Sequence, residues 1–285
     1  MSTSKLSVLI TGCSDGSLGS ALAIAFHEAG LHVYATARNP SKMANLSSLG
    51  IETLTLDVLS ESSIAACFRK LSSLDILVNN AGAGYSMPVA DMSISSAKKL
   101  FDLNVWSYLA ITQAFLPLLL KSSKGMIVNQ TSIAAVTTTP FQSAYNASKA
   151  AISMFSDTMR LELEPFGITV VDLKTGVVRS NLIQNSKNQR GGEQASLPEG
   201  SIYEPAKEVV EKALRQEGFT DTGMLAEQWA KLVVRDLLRG KPPSVVWRGE
   251  QAGLARVAAI LPFGMFDGMV KGMTGMDVVG EIVRK

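Results

Sequence analysis

Short apolar runs alternate with longer amphipathic segments along most of the chain. The apolar runs have the length and continuity of strands that are buried on both faces of a parallel sheet. The segments between them carry apolar residues at the three- and four-residue spacing of helices. The predicted strands are 6–10, 31–37, 51–56, 75–78, 125–131, 168–173 and 244–247. The predicted helices are 20–30, 41–49, 60–71, 93–121, 142–166, 205–217 and 224–238.

This alternation of strand and helix predicts an α/β fold. Right-handed crossovers between parallel strands would give a Rossmann-type doubly wound sheet of about seven strands with helices on both faces. We expect a single domain over 1–285, because no linker or internal repeat interrupts the pattern. Within it, 5–180 would form the cofactor and catalytic core, 181–240 a substrate loop with helices, and 250–285 an apolar C-terminal extension.

Composition narrows the classes of function. The 285 residues are 46% hydrophobic and 18% charged, which is typical of a globular protein with a sizeable core. The net charge is +2 and no basic block is present, which argues against nucleic-acid binding. Two cysteines make no disulfide framework and the N-terminal residues lack the apolar stretch of a signal peptide, so we expect a cytoplasmic protein. We expect no metal site, since His27 and His32 lie away from the predicted ligand-binding edge.

A glycine-rich segment, Thr-Gly-Cys-Ser-Asp-Gly-Ser-Leu-Gly at 11–19, joins the first predicted strand to the first predicted helix. Its glycines would let the backbone approach a pyrophosphate closely, and the helix N-terminus behind them favours negative charge. A glycine turn that merely caps a helix is the competing interpretation. The position between a strand and a helix favours a dinucleotide site.

The end of the second predicted strand indicates which dinucleotide would bind. NAD sites usually place a carboxylate there for the ribose hydroxyls, but the chain reads Ala-Thr-Ala-Arg, with Arg38 at that position. A guanidinium fork suits a 2′-phosphate, so we predict NADPH, with Ser14 as a second phosphate ligand. Asp57 and Val58, after the third predicted strand, would meet the adenine, although an aspartate that begins a helix is the alternative interpretation.

Tyr145 and Lys149 are four residues apart in a predicted helix, so their side chains share one face. An ammonium beside a phenol favours the phenolate and lowers the tyrosine pKa from about 10 toward the range that suits an acid–base catalyst. Ser132, earlier in the chain, could hold a substrate oxygen. The same Tyr-x-x-x-Lys pattern also occurs on solvated helices. Here the helix would start beyond the carboxyl end of a strand, the edge where doubly wound sheets bind ligands.

In their order and spacing these motifs resemble the short-chain dehydrogenase/reductase family, over about residues 5–180. The resemblance implies a Rossmann fold and an NADP(H)-dependent oxidoreductase acting on CH–OH or C=O groups. The residues that carry it are the glycine loop, Asn-Asn-Ala-Gly at 79–82, Asn104 in Asn-Val-Trp, Ser132, Tyr145 with Lys149, and Thr175-Gly176.

The resemblance also implies roles for four side chains. Tyr145 would donate a proton to the substrate carbonyl oxygen, and Ser132 would orient that oxygen. Lys149 would lower the tyrosine pKa and bind the nicotinamide ribose, while Asn104 would hold a water that links the lysine to solvent. These four residues are the predicted catalytic set.

A cofactor-binding set follows from the same resemblance. The loop has one residue more than the family's Gly-x-x-x-Gly-x-Gly pattern, so either Gly16 or Ser17 takes the place of the middle glycine. Thr175 replaces a proline of the family, and Ser180 stands where a threonine is common. The implied set is Gly12, Ser14, Gly16, Ser17, Leu18, Gly19, Arg38, Asp57, Val58, Asn80, Ala81, Gly82, Tyr145, Lys149, Gly176, Val178 and Ser180.

A finer resemblance concerns the substrate. The Gly-Cys-Ser start of the loop, the segment 197–203, Trp-Arg-Gly at 247–249 and the apolar tail resemble the subgroup that contains NADPH-dependent 1-acyldihydroxyacetone-phosphate reductases and enzymes of secondary metabolism. It implies reduction of a ketone or aldehyde on a lipophilic substrate, either an acyl-dihydroxyacetone phosphate or a secondary-metabolite ketone. An NADPH-binding regulatory sensor on the same fold, and an alcohol dehydrogenase working in the oxidative direction, are the alternatives.

The remaining predictions concern partners. The long helices 93–121 and 142–166 form the family's subunit interface, which implies a homodimer or homotetramer. The apolar run 257–266 is too short to span a bilayer. It could line the substrate mouth, contact another subunit or lie on a membrane or lipid surface, and the nearby methionines suit a mouth that accepts varied apolar shapes.

Overall fold

The computed structural model of the protein describes residues 5–180, 195–217, 222–262 and 264–284. A parallel sheet of seven strands, in the order β3-β2-β1-β4-β5-β6-β9, lies at its centre. Two further short strands, β7 and β8, pair with each other outside this sheet. The strands are β1 Ser7–Thr11, β2 His32–Ala37, β3 Glu52–Thr55, β4 Ile76–Asn79, β5 Met126–Gln130, β6 Thr169–Thr175, β7 Val178–Arg179, β8 Met224–Leu225 and β9 Val245–Arg248.

Helices connect the strands and cover the sheet. Three of them begin at a serine, Ser17, Ser60 or Ser93, whose side chain accepts a backbone N–H of the first turn and so caps the helix. The α-helices are α1 Leu18–Glu28, α2 Ala44–Ser48, α3 Glu61–Phe68, α4 Ile94–Phe101, α5 Ser107–Leu119, α6 Ser143–Leu163, α7 Lys207–Leu214, α8 Ala226–Leu237, α9 Ala252–Ala258, α10 Asp267–Thr274 and α11 Met276–Val283.

The sheet is buried on both faces because its strands are apolar on both sides. On one face, side chains such as Val8 and Ile10 of β1 pack with Phe26 of α1 and Trp229 of α8. On the other face, Leu9 packs with residues of α3 and α5. The predicted Rossmann-type doubly wound fold is confirmed, as a single domain built on this sheet.

The strand order reverses between β1 and β4, because the chain runs outward to β3 and then returns to the other side of β1. Doubly wound sheets bind their ligands at such a switch point, outside the carboxyl ends of the strands. The loops after β1, β4, β5 and β6 meet at this edge, and they carry most of the predicted site residues.

Two predicted helices differ from the structure. The segment 93–121 is not one continuous α-helix, because a π-helical turn, Asp102–Trp106, separates α4 from α5. Such turns insert an extra residue per turn and occur frequently at functional sites. The segment 224–238 begins as β8, because Leu225 keeps an extended backbone that pairs with β7, and the helix starts only at Ala226.

The C-terminal extension forms three short helices, α9 to α11, beside the carboxyl edge of the sheet. Several of its large apolar side chains are exposed, including Ile260 at 83%. None of the helices in the described part of the chain has the length and apolar character needed to cross a membrane. Residues 181–194, the first part of the predicted substrate loop 181–203, lie outside the described residues.

Candidate active site

Thr11, at the end of β1, joins the glycine loop to the loop after β4. Its hydroxyl accepts the backbone N–H groups of Asn80 and Ala81 at 2.9 and 3.0 Å. The side-chain nitrogen of Asn80 donates back to the carbonyls of Thr11 and Gly12 at 2.7 and 3.2 Å. The two loops are therefore fixed to one another at the switch point.

Two glycines of the first loop stand where a side chain would collide. Gly12 has a φ of 76°, and a Cβ there would lie 2.9 Å from the Cα of Ala81. A Cβ at Gly19 would lie 2.5 Å from both the Gly12 carbonyl oxygen and Nδ2 of Asn80. This close packing holds the N-terminus of α1 against the loop, which is the arrangement that binds pyrophosphate in other dinucleotide sites.

The extra residue of the loop is accommodated by Gly16 and Ser17 together. Gly16 takes the left-handed conformation, with a φ of 76°. Ser17 caps α1, since its Oγ accepts the Ser20 N–H at 3.1 Å and donates to the Gly12 carbonyl at 3.0 Å. Gly16 therefore has the turn conformation that suits the middle glycine. Ser14 and Leu18 flank this turn and are half-buried.

Arg38 lies at the carboxyl end of β2 with an exposed side chain that has no hydrogen bond or ion pair to any described residue. The Cys13 N–H donates to the Thr36 carbonyl at 2.8 Å, which places the glycine loop beside the end of β2. The Arg38 guanidinium is thus available to an anionic group bound at this loop.

Asp57 and Val58 reach the same edge after β3, but their side chains have local partners. The Asp57 carboxylate accepts the Leu59 N–H at 3.0 Å. The Val58 side chain is buried in the core beneath the sheet. A cofactor could therefore meet Val58 only through its backbone.

Ser132 and Tyr145 come together as the sequence predicts. Ser132 follows β5, and its Oγ accepts the Ala134 N–H at 3.1 Å. Tyr145 lies in the first turn of α6. Burial raises the pKa of Tyr145 above its ordinary value, and a hydrogen bond with Ser132 opposes part of this rise.

Lys149 is buried one turn after Tyr145. Its Nζ donates to the Gln130 carbonyl at 2.8 Å and lies 6.0 Å from the centroid of the Tyr145 ring. Burial lowers the pKa of Lys149 to about 8, while the Asp172 carboxylate acts in the opposite direction. The sequence predicts a tyrosine pKa below its ordinary value, whereas in the structure burial raises it.

The Gln130 carbonyl also accepts a second donor, the hydroxyl of Tyr108 on α5, at 3.3 Å. The Tyr108 ring centroid lies 5.6 Å from Nζ of Lys149. Burial raises the pKa of Tyr108, so its phenol stays protonated and keeps donating. The lysine ammonium is thus enclosed by one carbonyl and two aromatic rings.

Asn104 lies in the π-helical turn and is fully buried. Its Oδ1 accepts the Ala83 N–H at 2.9 Å, and its Nδ2 donates to the Ala83 carbonyl at 3.0 Å and to Ser148 Oγ at 3.1 Å. The side chain therefore ties the loop after β4 to α6. Because these bonds occupy the amide, a water at Asn104 would be held mainly through the backbone carbonyl.

The predicted residues after β6 complete the edge. A Cβ at Gly176 would collide with the Glu250 carbonyl oxygen, so only glycine fits against that turn. Val178 belongs to β7, and Ser180 follows it. Gly176, Val178 and Ser180 share the wall of one cavity with Tyr145. Gly82 is close to the same group, since a Cβ on it would lie 3.8 Å from Nζ of Lys149.

The residues at this edge fit a dinucleotide. The glycines of the first loop let it pack directly against the loop after β4 and the start of α1, and Arg38 is free to meet an anion. Buried polar atoms near the strand ends, including Oε1 of Gln130 and Oγ1 of Thr175, have no partner in the described part of the chain. Buried polar atoms without a partner indicate a place for a ligand or an ordered water. The described residues contain no group of three His, Cys, Asp or Glu side chains that could hold a metal ion.

A cavity of about 990 Å³ opens from the Ser132 and Tyr145 hydroxyls. This volume is at the upper end of the range for pockets that enclose a drug-sized ligand. One wall is the segment after β5, with its threonines, and α7 forms another. The C-terminal extension supplies an apolar wall that consists of Leu254, Ala255, Ala258, Ala259, Leu261, Pro262, Met265, Phe266, Met269, Val270 and Met273.

Several residues of the site could not be identified from sequence motifs. Gln130 contributes its backbone carbonyl, which has no sequence signature, and Tyr108 stands in an ordinary amphipathic helix. Asp172 and Lys174 did give a signal, since they are charged residues in a strand that is buried on both faces. The apolar tail was recognised, but its position at the cavity was only one of three interpretations.

Known proteins resemble this chain over nearly its whole length. The sequence profile of the short chain dehydrogenase family matches residues 6–191. A short-chain dehydrogenase/reductase of Pestalotiopsis microspora is 61% identical over 284 residues, which cover 100% of this chain and 99% of that protein. An NADPH-dependent 1-acyldihydroxyacetone phosphate reductase of Schizosaccharomyces pombe is 37% identical over 93% of this chain and 92% of that protein.

The fold has a counterpart among solved structures. A short-chain dehydrogenase from Streptomyces avermitilis superposes with a TM-score of 0.76 at 27% identity, over 98% of each chain. Family profile, relatives and fold agree with the order of motifs around Tyr145 and Lys149. The chain therefore belongs to the short-chain dehydrogenase/reductase family, whose members are NAD(P)-dependent oxidoreductases acting on CH–OH or C=O groups.

Proposed function

We propose that the protein is an NADPH-dependent reductase that converts a ketone or aldehyde on a lipophilic substrate to an alcohol. The observation that carries the proposal is the meeting of the Ser132 and Tyr145 hydroxyls at a large cavity with an apolar C-terminal wall. The name of the S. pombe relative, an NADPH-dependent reductase of an acylated ketone, supports reduction as the direction of the reaction and a lipophilic substrate.

In this proposal the two hydroxyls act on one carbonyl oxygen. The bound nicotinamide cofactor supplies the hydride. Tyr145 donates the proton, and Ser132, fixed by the Ala134 N–H, donates a hydrogen bond to the same oxygen. Burial keeps the phenol protonated at neutral pH, so its proton leaves only as negative charge develops on the substrate oxygen.

Lys149 and Asn104 support this transfer. The Gln130 carbonyl fixes the ammonium of Lys149 beside Tyr145, where its charge stabilises the phenolate that remains after the proton has moved. Asn104 holds the loop after β4 against α6, so that the cofactor-binding loop and the proton donor keep a constant separation. A water held by the Asn104 backbone would return a proton through Lys149.

The reductase rate should fall as the pH rises through about 8. Below this pH Lys149 is charged, and above it the ammonium loses its proton, because burial lowers its pKa to about 8. The phenolate left on Tyr145 is then no longer stabilised. The measurement is kcat/KM for the ketone at saturating NADPH from about pH 6 to about pH 10. A rate that rises through this range would contradict the assignment of Lys149.

Replacing Arg38 with alanine should lower kcat/KM for NADPH by about 10- to 100-fold and leave that for NADH nearly unchanged. The reason is that Arg38 follows β2, whose end lies beside the glycine loop, and its guanidinium has no hydrogen bond or ion pair to any described residue. Steady-state kinetics with both cofactors provide the measurement. Arg69→Ala, at an exposed site after α3, is the matched control. If the ratio of kcat/KM for NADPH to that for NADH were unchanged in the Arg38 variant, the assignment of NADPH would be wrong.

The two candidate substrate classes, phosphate esters of acyl-dihydroxyacetone and secondary-metabolite ketones, differ in charge. We expect the substrate to be a neutral ketone. The charged side chains in the described cavity lining are Glu208, Glu217 and Asp267 against Lys212, so a phosphate ester would meet net repulsion. An acyl-dihydroxyacetone and its phosphate form a matched pair of substrates. We expect kcat/KM to be at least about 10-fold higher for the neutral ketone. A preference for the phosphate would favour the acyl-dihydroxyacetone-phosphate reductase activity instead.

The activity itself is tested by NADPH oxidation with a panel of long-chain and cyclic ketones and aldehydes. Consumption of NADPH with formation of an equal amount of alcohol is the expected result. A folded, NADPH-binding protein that turns over no member of the panel would favour a regulatory sensor on this fold. Turnover of the corresponding alcohols with NADP⁺ far above the reductive rate would favour the oxidative alternative.

The oligomeric state and location are also proposals. The π-helical turn, α6 and the turn after α6 expose Trp106, Met154, Leu161 and Phe166, which suits the homodimer or homotetramer that the family resemblance implies. A cytoplasmic location is proposed as well. The exposed Ile260 beside the cavity could instead contact a membrane or lipid surface.

A further inference from the structure

Two opposite charges are buried side by side on β6. Nζ of Lys174 lies 2.6 Å from Oδ2 of Asp172, and the two side chains are 7% and 8% exposed. The Lys174 ammonium also lies 5.6 Å from the centroid of the Trp247 ring. Removing two charges from water costs about as much as their attraction returns, so a buried pair is weak evidence for a purely stabilising role.

The Asp172 carboxylate contacts both segments that carry the proton-transfer groups. One oxygen accepts the hydroxyl of Thr131, the residue that precedes Ser132. The other accepts Ser153 Oγ at 2.7 Å, one turn of α6 beyond Lys149. Lys174 donates to the same Ser153 hydroxyl at 2.6 Å. One buried cluster therefore braces the Ser132 loop against the helix that carries Tyr145 and Lys149.

Asp172 also acts on Lys149 through its charge. Among the described residues, the rings of Tyr108 and Tyr145 lie 5.6 and 6.0 Å from the Lys149 ammonium. Asp172 lies near it too, because its carboxylate accepts the hydroxyl of Ser153, one turn beyond Lys149, and its charge raises the lysine pKa. Both phenols are neutral at pH 7, because burial raises their pKa. The carboxylate is therefore the negative charge that favours the protonated lysine.

Other charged groups near this helix are directed to solvent. Strand β5 contains no charged residue. The charged side chains of α4 and of the π-helical turn are exposed, and so is Asp157, two turns further along α6. These exposed groups are Lys98, Lys99 and Asp102, in addition to Asp157.

We propose that Asp172 and Lys174 are positioning residues for the proposed reduction: Asp172 braces the Ser132 loop against α6 and places a negative charge near the Lys149 ammonium, and Lys174 offsets part of that charge. This proposal rests on the proposed function. It assigns a second buried lysine to the site, one that lies on β6 and acts through Asp172.

The test compares two substitutions that change the charge near Lys149 in opposite directions. Asp172→Asn keeps the shape of the side chain but removes the negative charge. The alkaline limb, which is the decline of kcat/KM as the pH rises through about 8, should therefore move to lower pH by about 0.5 pH unit or more. Lys174→Met leaves the carboxylate uncompensated, so the limb should move to higher pH than in the wild type. The double variant has neither charge and should have a limb between those of the two single variants.

A variant without any charge change tests the positioning separately. Thr131→Val removes the hydroxyl that joins Asp172 to the Ser132 loop, so it should lower kcat/KM for the ketone at least about fivefold with the limb unmoved. It also keeps the proposal falsifiable if a charge variant fails to fold. Full activity of Thr131→Val would overturn the positioning role.

The electrostatic part has a readout that needs no turnover. The protein is labelled with ¹⁵N at its lysine side chains and saturated with NADP⁺, and the Lys149 Nζ signal is assigned as the one that Lys149→Met removes. The pKa measured from this signal should be lower than in the wild type for Asp172→Asn and higher for Lys174→Met. If the Lys149 pKa moved in the same direction in both variants, or did not move, the cluster would be only structural. Absence of ketone turnover by wild-type protein would instead remove the proposed function, and the Nζ titration would then still decide whether Asp172 and Lys174 set the proton affinity of Lys149.

Discussion

Tyr145→Phe is expected to lower kcat/KM for the ketone by about 10²- to 10⁴-fold, which is the usual contribution of a positioned acid or base. The substitution removes one hydroxyl and keeps the ring that packs beside Lys149. Binding of NADPH should stay within about twofold of wild type, since the ring and the helix are unchanged. Initial rates and fluorescence titration of NADPH provide the two measurements.

Tyr34→Phe is the matched control for this result. Tyr34 lies on β2, which β1 and β4 separate from β5 in the sheet, and loss of its hydroxyl should leave the rate unchanged. A Tyr145→Phe protein with at least about a third of the wild-type rate would mean that another group donates the proton. A regulatory sensor would differ from both cases, because its partner response would survive the substitution.

Lys149→Met is the second large effect, with an expected loss of about 10²- to 10³-fold in kcat/KM. The methionine fills similar space but cannot donate to the Gln130 carbonyl or stabilise a phenolate at Tyr145. The decline of the reductase rate above about pH 8 should disappear in this variant, because the group that titrates there is gone. The measurement is the pH profile of kcat/KM together with the NADPH dissociation constant.

An exposed lysine serves as control for the loss of charge. Lys231→Met on α8 removes a cation that pairs with Glu227 at the surface and should leave kcat/KM and the pH profile unchanged. Retention of the alkaline decline in Lys149→Met would show that a different group titrates, and Tyr145 itself would then be the first candidate.

Much of the site could be predicted because its chemistry depends on residue type and local spacing. The glycines at 12 and 19 are needed wherever a loop packs tightly at a helix start, and the structure shows the collisions that any side chain would cause. Tyr145 and Lys149 were placed on one helix face by their spacing alone. Seven strands were predicted from apolar runs because a parallel sheet buries both faces.

The parts that sequence reasoning missed depend on backbone geometry and on contacts between distant segments. Asn104 itself was predicted, but the π-helical turn that carries it was not, because no local pattern distinguishes such a turn from an α-helix. The acceptor for Lys149 is a backbone carbonyl, which any residue at position 130 would supply. The apolar tail lines the cavity through contacts with segments distant in the sequence, so its place there became clear only from the folded chain.

The central claim, that hydride passes from bound NADPH to a substrate carbonyl in this site, is tested most directly by isotope transfer. The protein is supplied with NADPH carrying deuterium at both C4 positions and with a neutral lipophilic ketone, and the alcohol is analysed by mass spectrometry. We predict one deuterium per alcohol at the former carbonyl carbon, in an amount equal to the NADPH consumed, with the yield over the same time lowered at least about 100-fold in Tyr145→Phe. Alcohol without deuterium at that carbon, or equal yield from the Tyr145 variant, would contradict this account.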